Sequence, residues 1–308
     1  MSIVNTFSLQ SNRQIKINFD GGDLSSDAGL LLIKEFISKL GIERLLNRSF
    51  KTNDSAVFRY HTDRDNLLQM IYMIMAGYFE DDASDELTKD PIFFNRMDED
   101  TLKQFQEISQ ILRKRIYSIQ MPQAVILDLD STLLAAYGKQ EGRAFNFHYR
   151  SNGYHPLVCY AGITGDLIKI QLRDGAAYSC TGVTNFLQPI LDEYLNDYPT
   201  IHLLLRGDSG FATPDLYKQC EENGTSYVIR LMENFIKESK SGFDFSAVSS
   251  HNRIVNANRV QVHALAYNIF NWFRRLVLSA KMRKQRIDTV RLKLLKIATK
   301  VVHSARYI

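Results

Sequence analysis

The sequence predicts an α/β protein: a mixed five-stranded sheet with helices packed on it, flanked by helical regions at both ends. Three observations carry this. Apolar positions recur at helical spacing through the first 120 residues. From Met121 the texture changes to short β-rich runs, two of which end in carboxylates. From Val255 a long helical pattern returns and runs into a basic tail. This gives three regions: 1–120 mostly helical, an accessory region; 121–250 the sheet-bearing core; 251–308 a basic helical end.

The elements follow in order. Gln14 to Phe19 alternates as one short strand. Asp23-Leu24-Ser25-Ser26-Asp27 offers caps for a helix carrying Leu30, Leu31, Ile33, Phe36, Ile37 and Leu40. Further helices are expected near 64–79, 82–89 and 99–116, with Glu80-Asp81-Asp82 and Asp98-Glu99-Asp100 as entry residues that suit the positive end of a helix dipole. Strands are expected at Ala124–Asp130, Arg143–Tyr149, Leu157–Ile163 and Leu167–Leu172. The last two form a hairpin about Thr164-Gly165-Asp166. Val183–Asn196 reads as an amphipathic helix and Ile201–Arg206 as a buried strand. Thr213–Asn223 is a helix with Pro214 in its first turn, and Ser226–Leu231 is the last strand. A helix opens at about Met232 and runs to Lys240. The end is helical over 264–275 and again from Ile287 to Val302.

Composition narrows the function. Hydrophobic residues make up 45% of the 308 and charged residues 23%, as in an ordinary globular protein. Three scattered cysteines, Cys159, Cys180 and Cys220, suit neither a disulfide scaffold nor a zinc ribbon and fit a reducing cytosol. The longest largely apolar stretch, Leu67 to Phe79, is too short to span a membrane, and no secretion signal opens the chain. Residues 251–308 hold 13 Lys and Arg against the single acid Asp288. That is a net +12, leaving −8 for the first 250 residues within a total of +4. A basic end on an acidic protein suits a polyanion partner, nucleic acid ahead of the alternative of a merely solvated helix surface.

Chemistry concentrates in the carboxylates. Asp128 and Asp130 lie two apart on a strand and so share a face. Asp208 ends a second apolar strand in the same way. Oxygen ligands held at the ends of neighbouring strands suit a hard cation such as Mg²⁺. Taken singly, each is better explained as the turn chemistry of an Asp after a strand, and the two strand ends together bring the metal reading level with it. Glu233 opens the last core helix, with Lys237 and Lys240 on its face at i+4 and i+7, a spacing that by itself fits a plain Glu–Lys surface pair better than a metal-binding Glu with phosphate-binding lysines. Asp128-Leu129-Asp130-Ser131-Thr132 also satisfies the Asp-x-Asp-x-Thr pattern of haloacid-dehalogenase-like phosphatases. Against that reading stand the long helical region before the motif, the antiparallel strands after it, and Ala212 where a further acid is needed. His148, His155 and His202 have no ligand spacing with the cysteines and read as structural.

At these residues the chain resembles bacterial insertion-sequence transposases of the DDE type, which have an RNase H-like core. The likeness is carried by Asp128 to Thr132, Tyr137-Gly138-Lys139-Gln140-Glu141-Gly142, Gly153-Tyr154-His155-Pro156-Leu157 and Arg206-Gly207-Asp208-Ser209-Gly210-Phe211. In the front part it is carried by Ala76 to Asp82 with Leu87 to Pro91. The resemblance implies Asp130 as the first catalytic acid, with Asp128 a close alternative, Asp208 as the second and Glu233 as the third. It implies two Mg²⁺ ions held by these carboxylates and phosphoryl transfer on DNA. Glu233 to Lys240 keeps the Glu-x6-Lys part of a signature whose expected Tyr and Arg are Ser226 and Ile229 here. Lys237, Lys240, Arg274 and Arg275 are the expected DNA-phosphate contacts. The implied partners are double-stranded DNA of terminal inverted repeats and target, and a second copy in the DNA complex; the implied place is the bacterial cytoplasm, at the nucleoid.

One departure is large. Asp208 and Glu233 are only 25 residues apart, whereas relatives carry a β-rich insertion domain there. A direct join at Leu231/Met232 is therefore expected to shift Glu233 about the helix axis and to leave cleavage weak or absent, with DNA binding retained by residues 251–308. That alternative is an inactive, internally deleted derivative that binds DNA or a full-length partner.

Overall fold

The computed structural model describes residues 6–18, 27–54, 58, 60–78, 94, 96–229, 242–244, 248–297 and 300–303. The expected helix at 82–89, the Leu231/Met232 join and the helix bearing Glu233, Lys237 and Lys240 lie outside them. The chain runs β1 (Thr6–Ser8), β2 (Ile15–Asn18), α1 (Leu30–Lys39), α2 (Ile42–Ser49), α3 (Asp63–Ala76), α4 (Glu99–Ile119), β3 (Ala124–Ser131), β4 (Leu134–Ala135), β5 (Ala144–Asn146), β6 (Ser151–Tyr154), β7 (Leu157–Ala161) and β8 (Asp166–Gln171). It continues with α5 (Val183–Asp197), β9 (His202–Gly207), α6 (Pro214–Glu222), β10 (Ser226–Ile229), α7 (Arg253–Val277), two single turns at Ala280–Arg283 and Ile287–Val290, and β11 (Lys300–His303).

The central sheet has five strands in the order β10-β9-β3-β7-β8. β7 is antiparallel to both β3 and β8, while β9 and β10 run parallel to β3. This is the RNase H-like arrangement: three leading antiparallel strands, then two parallel strands added across the first by helical crossovers. β3 alternates half-buried and buried positions, so Val125, Leu127 and Leu129 enter one apolar layer while Asp128 and Asp130 share the other face. The Arg143–Tyr149 expectation is corrected in part. Only Ala144–Asn146 is extended, and it belongs to a separate sheet ordered β4-β6-β5.

α7 holds the molecule together. Its apolar residues lie on every side, including Val262, Leu265, Ile269, Phe270, Trp272 and Phe273, the mark of an enclosed helix. It packs against α1, α3, α4 and β8. Each large apolar side chain so buried contributes about 1.5–3 kcal/mol. Its asparagines satisfy neighbouring polar groups. Asn268 accepts from the Leu167 N–H and donates to the Leu167 carbonyl, each at 2.8 Å, which closes part of the open edge of β8. Asn258 donates to the Asp98 carbonyl, and its Oδ1 accepts from buried Thr101. Asp98 itself caps α4, accepting from the Asp100 and Thr101 N–H groups, as its place before a helix suggests.

The end of the chain departs from expectation. The helix expected from Ile287 to Val302 breaks into the turn Ile287–Val290, a π-helical turn at Arg291–Leu295, and β11. β11 pairs antiparallel with β2, Val301 opposite Ile17. Two forces account for the break. The β-branched Val301 and Val302 find a strand partner distant in sequence. Arg291 is drawn inward, where its guanidinium donates to the carbonyls of Ile74 and Met75 at the end of α3, and to that of Gly242. A buried cation on the last carbonyls of a helix meets the negative end of its dipole. Gly77, at φ 85°, closes the same helix in the left-handed conformation that glycine adopts without strain.

Candidate active site

β3 and β9 are neighbours in parallel register. Asp128 pairs with Arg206 and Leu129 with Gly207, so Asp130 and Asp208 follow at equivalent backbone positions, Asp130 near the end of β3 and Asp208 directly after β9. Neighbouring strands lie about 4.8 Å apart, so these two backbone positions are close neighbours.

Local sequence fixes each of them. Asp208 accepts at Oδ1 from the Gly210 N–H at 2.8 Å and so caps the 3₁₀ turn Ser209–Phe211. Phe211 is fully buried and anchors that turn. Space at Gly210 is tight: a Cβ there would lie 3.0 Å from Asp208 Oδ1 and 3.1 Å from the Ser179 Cβ. Asp130 accepts at Oδ1 from the Ser131 N–H at 2.7 Å.

Asp128 is already engaged. Arg206 grips it with two parallel bonds, Nε to Oδ1 and Nη2 to Oδ2, both 2.6 Å. Hydrogen bonding to Asp128 holds the Arg206 guanidinium above its ordinary value. Gly162 makes room for the pair, since a Cβ there would come within 2.4 Å of Asp128 Oδ2. Of the two acids on β3, Asp128 thus has a resident cation, while Asp130 stands beside Asp208.

Sequence reasoning missed the loop between β8 and α5. Arg173 is buried and knits this loop shut. Its Nη1 donates to the carbonyls of Tyr178, Ser179 and Thr181 at 3.1, 3.1 and 2.7 Å, and its Nε to the His155 carbonyl at 2.9 Å. Burial pushes its pKa down to about 10. The shaped loop presents Ser179, whose hydroxyl bonds that of Ser131 at 3.0 Å, directly after Asp130. His155 pins the same loop through Nδ1–H to the Ala177 carbonyl at 2.7 Å, and burial holds its imidazole below the ordinary value. This is a structural histidine, as its lack of ligand spacing suggests. The one available signal for Arg173 was an isolated basic residue directly after the apolar run 167–172. Cys159 and Cys220 are buried with thiols raised by desolvation, Cys220 to about 11, so neither is poised as a nucleophile.

The expected phosphate-binding residues divide. Lys237 and Lys240, like Glu233, lie outside the described residues. Arg275 is held by Asp166, Nη1 to Oδ2 at 3.0 Å, with side chains 16% and 4% exposed, which spans α7 and β8 and faces the protein interior. Arg274 donates to Asn271 Oδ1 at 2.9 Å. Among the described residues no three His, Cys, Asp or Glu side chains form a metal-holding group, and no helix is long and apolar enough to cross a membrane.

A five-stranded mixed sheet with two carboxylates aligned at the ends of its first and fourth strands defines the class of nucleic-acid-processing folds built on the RNase H plan. Residues 7–95, 93–234 and 231–308 match the family transposase DDE domain group 1, and the chain belongs to that family. Among solved structures, it is similar to the piggyBac transposase synaptic complex with hairpin DNA, at 12% identity over 88% of this chain and 80% of that one, TM-score 0.37. It is also similar to the Mos1 transposase paired-end complex with left transposon end (9% identity, 85% and 76% covered, TM-score 0.26) and to the Mos1 mariner paired end complex with Mn (8% identity, 84% and 94% covered, TM-score 0.25). At such TM-scores the fold rests on strand order and register. No curated protein gives a significant match.

Proposed function

We propose that this transposase carries out divalent-metal-dependent phosphoryl transfer on DNA at transposon ends, strand cleavage and then strand transfer, with Asp130, Asp208 and Glu233 as its three acids. The carrying observation is the β3–β9 register that sets Asp130 beside Asp208. The donor set fits the metal: both groups are carboxylates, the hard oxygen ligands that suit Mg²⁺, and both are seated on a rigid sheet. Two Mg²⁺ ions, when bound, supply activation of water or of a DNA 3′-hydroxyl and neutralise charge on the leaving 3′ oxygen. The chain's own part is to aim the carboxylates. Arg206 locks β9 to β3 through Asp128, and the Gly210 N–H orients Asp208.

Lys237 and Lys240, four and seven residues after Glu233 in the sequence, contact phosphates near the cut. The exposed basic residues after α7, Lys281, Arg283, Lys284 and Arg286 among them, meet the DNA backbone, so binding falls steeply with salt. The DNA is that of the terminal inverted repeats and the target, two copies of the chain assemble on it, and it works at the bacterial nucleoid. Nicking of terminal-repeat DNA with Mg²⁺, lost in Asp130→Asn and Asp208→Asn, tests this.

A second reading is favoured by the 25-residue spacing of Asp208 and Glu233, and by family matches that meet at 231–234, where the join is expected. In it, an insertion domain has been lost and the chain binds DNA or a full-length partner without cutting. Bound but uncut repeat DNA in the same assay selects this reading.

A further inference from the structure

Beside the strand ends stands a group of large side chains that the fold does not bury. Phe147 is 84% exposed, Tyr178 79%, Phe145 43% and Tyr149 39%. Exposed large apolar groups gathered at one place mark an interaction surface. These are held in place rather than left loose. Phe145 lies on β5 and Phe147 just after it, their rings edge to face with centroids 5.2 Å apart. Asn146, buried between them, accepts from the His148 and Tyr149 N–H groups and donates to the Gly175 carbonyl, which rigidifies the hairpin tip. Arg150 completes the turn at φ 51°, a left-handed conformation uncommon for a residue with a side chain.

The tip is tied to the carboxylate site. Tyr149 donates its hydroxyl to the Ser131 carbonyl at 3.2 Å, one residue from Asp130, and its ring packs edge-on against His155. Tyr178 precedes Ser179, whose hydroxyl bonds that of Ser131. The end of β3 is therefore met from two separate loops, by Tyr149 itself and by Ser179, the neighbour of Tyr178.

Their chemistry narrows the occupant. Every large exposed apolar residue from 131 to 160 is aromatic, with no exposed Leu, Ile, Val or Met among them. The interleaved charges are cationic. Exposed Lys139 and Arg150 lie in this segment with Arg143, and the one acid there, Glu141, is turned to the Arg253 N–H at the start of α7. Flat π-faces interleaved with cations suit unpaired bases on an anionic backbone.

We infer that Phe147, Tyr149 and Tyr178, with Arg150, form a stacking platform for unpaired bases of single-stranded DNA beside Asp130 and Asp208. This rests on the reading that the carboxylate site works on DNA. Strand separation near a cut produces such bases, and the platform holds them clear of the carboxylates.

The test uses the full chain and a short single-stranded oligonucleotide containing one 2-aminopurine, whose fluorescence falls when it stacks. Binding is expected to quench the probe. Phe147→Ala and Tyr178→Ala are expected to lose the quenching and to weaken single-strand affinity roughly tenfold or more. Phe147→Trp should keep both, and affinity for duplex of equal length and thermal stability should not change. No quenching by the unaltered chain, or equal quenching and affinity in the alanine variants, overturns the platform. So does light scattering that shows Phe147→Ala dissociating a dimer while single-strand binding persists, which would make the surface a contact between copies. Nicking lost in Asp130→Asn but unaffected, along with quenching, by Phe147→Ala would leave the proposed activity standing and remove this inference alone.

Discussion

Two aspartate–arginine pairs on the same sheet are built for different ends. At the C-terminal end of β3, Asp128 and Arg206 are 18% and 30% exposed by side chain, and two residues further along each strand come Asp130 and Asp208. At the far edge, Asp166 opens β8 and is only 4% exposed. It accepts from Arg275 and Asn271 on α7 and from the Thr164 hydroxyl on its own turn. The buried pair joins a helix to a sheet edge, and all its partners lie within the protein. The part-exposed pair holds two strands in register beside Asp130 and Asp208, the carboxylates proposed to hold the metal.

The largest effect expected from this contrast is on activity. Asp130→Asn or Asp208→Asn should lower Mg²⁺-dependent nicking of repeat DNA by on the order of a thousandfold, because each removes a metal-binding charge. Urea unfolding should show the fold intact, or slightly more stable through relief of repulsion. The unaltered chain's nicking is itself expected to be slow if the Leu231/Met232 join displaces Glu233. A variant that nicks normally without Asp208 would break the comparison outright.

Next comes stability at the other pair. Arg275→Ala leaves Asp166 buried without its cation and should cost about 3–5 kcal/mol, read from the urea midpoint at unchanged slope. DNA affinity of the folded fraction should be unchanged, since Arg275 faces the protein. A loss of DNA affinity without loss of stability would return Arg275 to the phosphate contacts that its sequence position suggests.

Arg206→Ala should reverse that balance. Its pair is partly exposed, so the stability cost should be about 1 kcal/mol. Yet Arg206 fixes the strand beside Asp130, and residues that hold ligand-bearing elements typically account for about tenfold to a hundredfold in metal affinity or rate. A raised Mg²⁺ midpoint for nicking, with little change in unfolding, is the expected signature.

The same contrast explains what the sequence made legible. β3 and its acids were readable because an apolar run ending in Asp-Leu-Asp has few other solutions, and the order of strands and helices followed from local patterns. α7 was readable as a helix but not as a buried one. Counting Lys and Arg treats each as surface charge, whereas Arg275 and Arg291 act inside the protein, on Asp166 and on the last carbonyls of α3. β11 was not readable, because its partner β2 lies nearly the whole chain away and pairing overrides local helical spacing. The loop shaped by Arg173 was missed for a related reason: nothing local shows that one guanidinium will collect carbonyls from Tyr178, Ser179 and Thr181.

The smallest effect separates the two regions by pH. Each holds one buried histidine. His155 pins the loop beside the carboxylates, and His263 on α7 donates to the Phe243 carbonyl, with Asp244 and Arg259 nearby. Burial lowers both imidazoles below their ordinary value, so both stay neutral in the fold while the unfolded chain takes up protons near pH 6.5. With more protons bound in the unfolded state, stability rises with pH across that window. It is therefore fully present above about pH 6.5 and declines as pH falls from there toward the lowered folded values. Unfolding free energies measured from pH 7.5 down to 5 should fall, and the slope should shrink in His155→Gln and in His263→Gln alike. The regions then part on nicking at fixed neutral pH. His155→Gln should reduce it, by freeing the loop that carries Ser179 against Ser131. His263→Gln, remote from the strand ends, should leave it unchanged in the folded fraction. Equal effects of the two on nicking would mean that the loop does not position Asp130, and that the two halves of the sheet are less distinct than their ion pairs indicate.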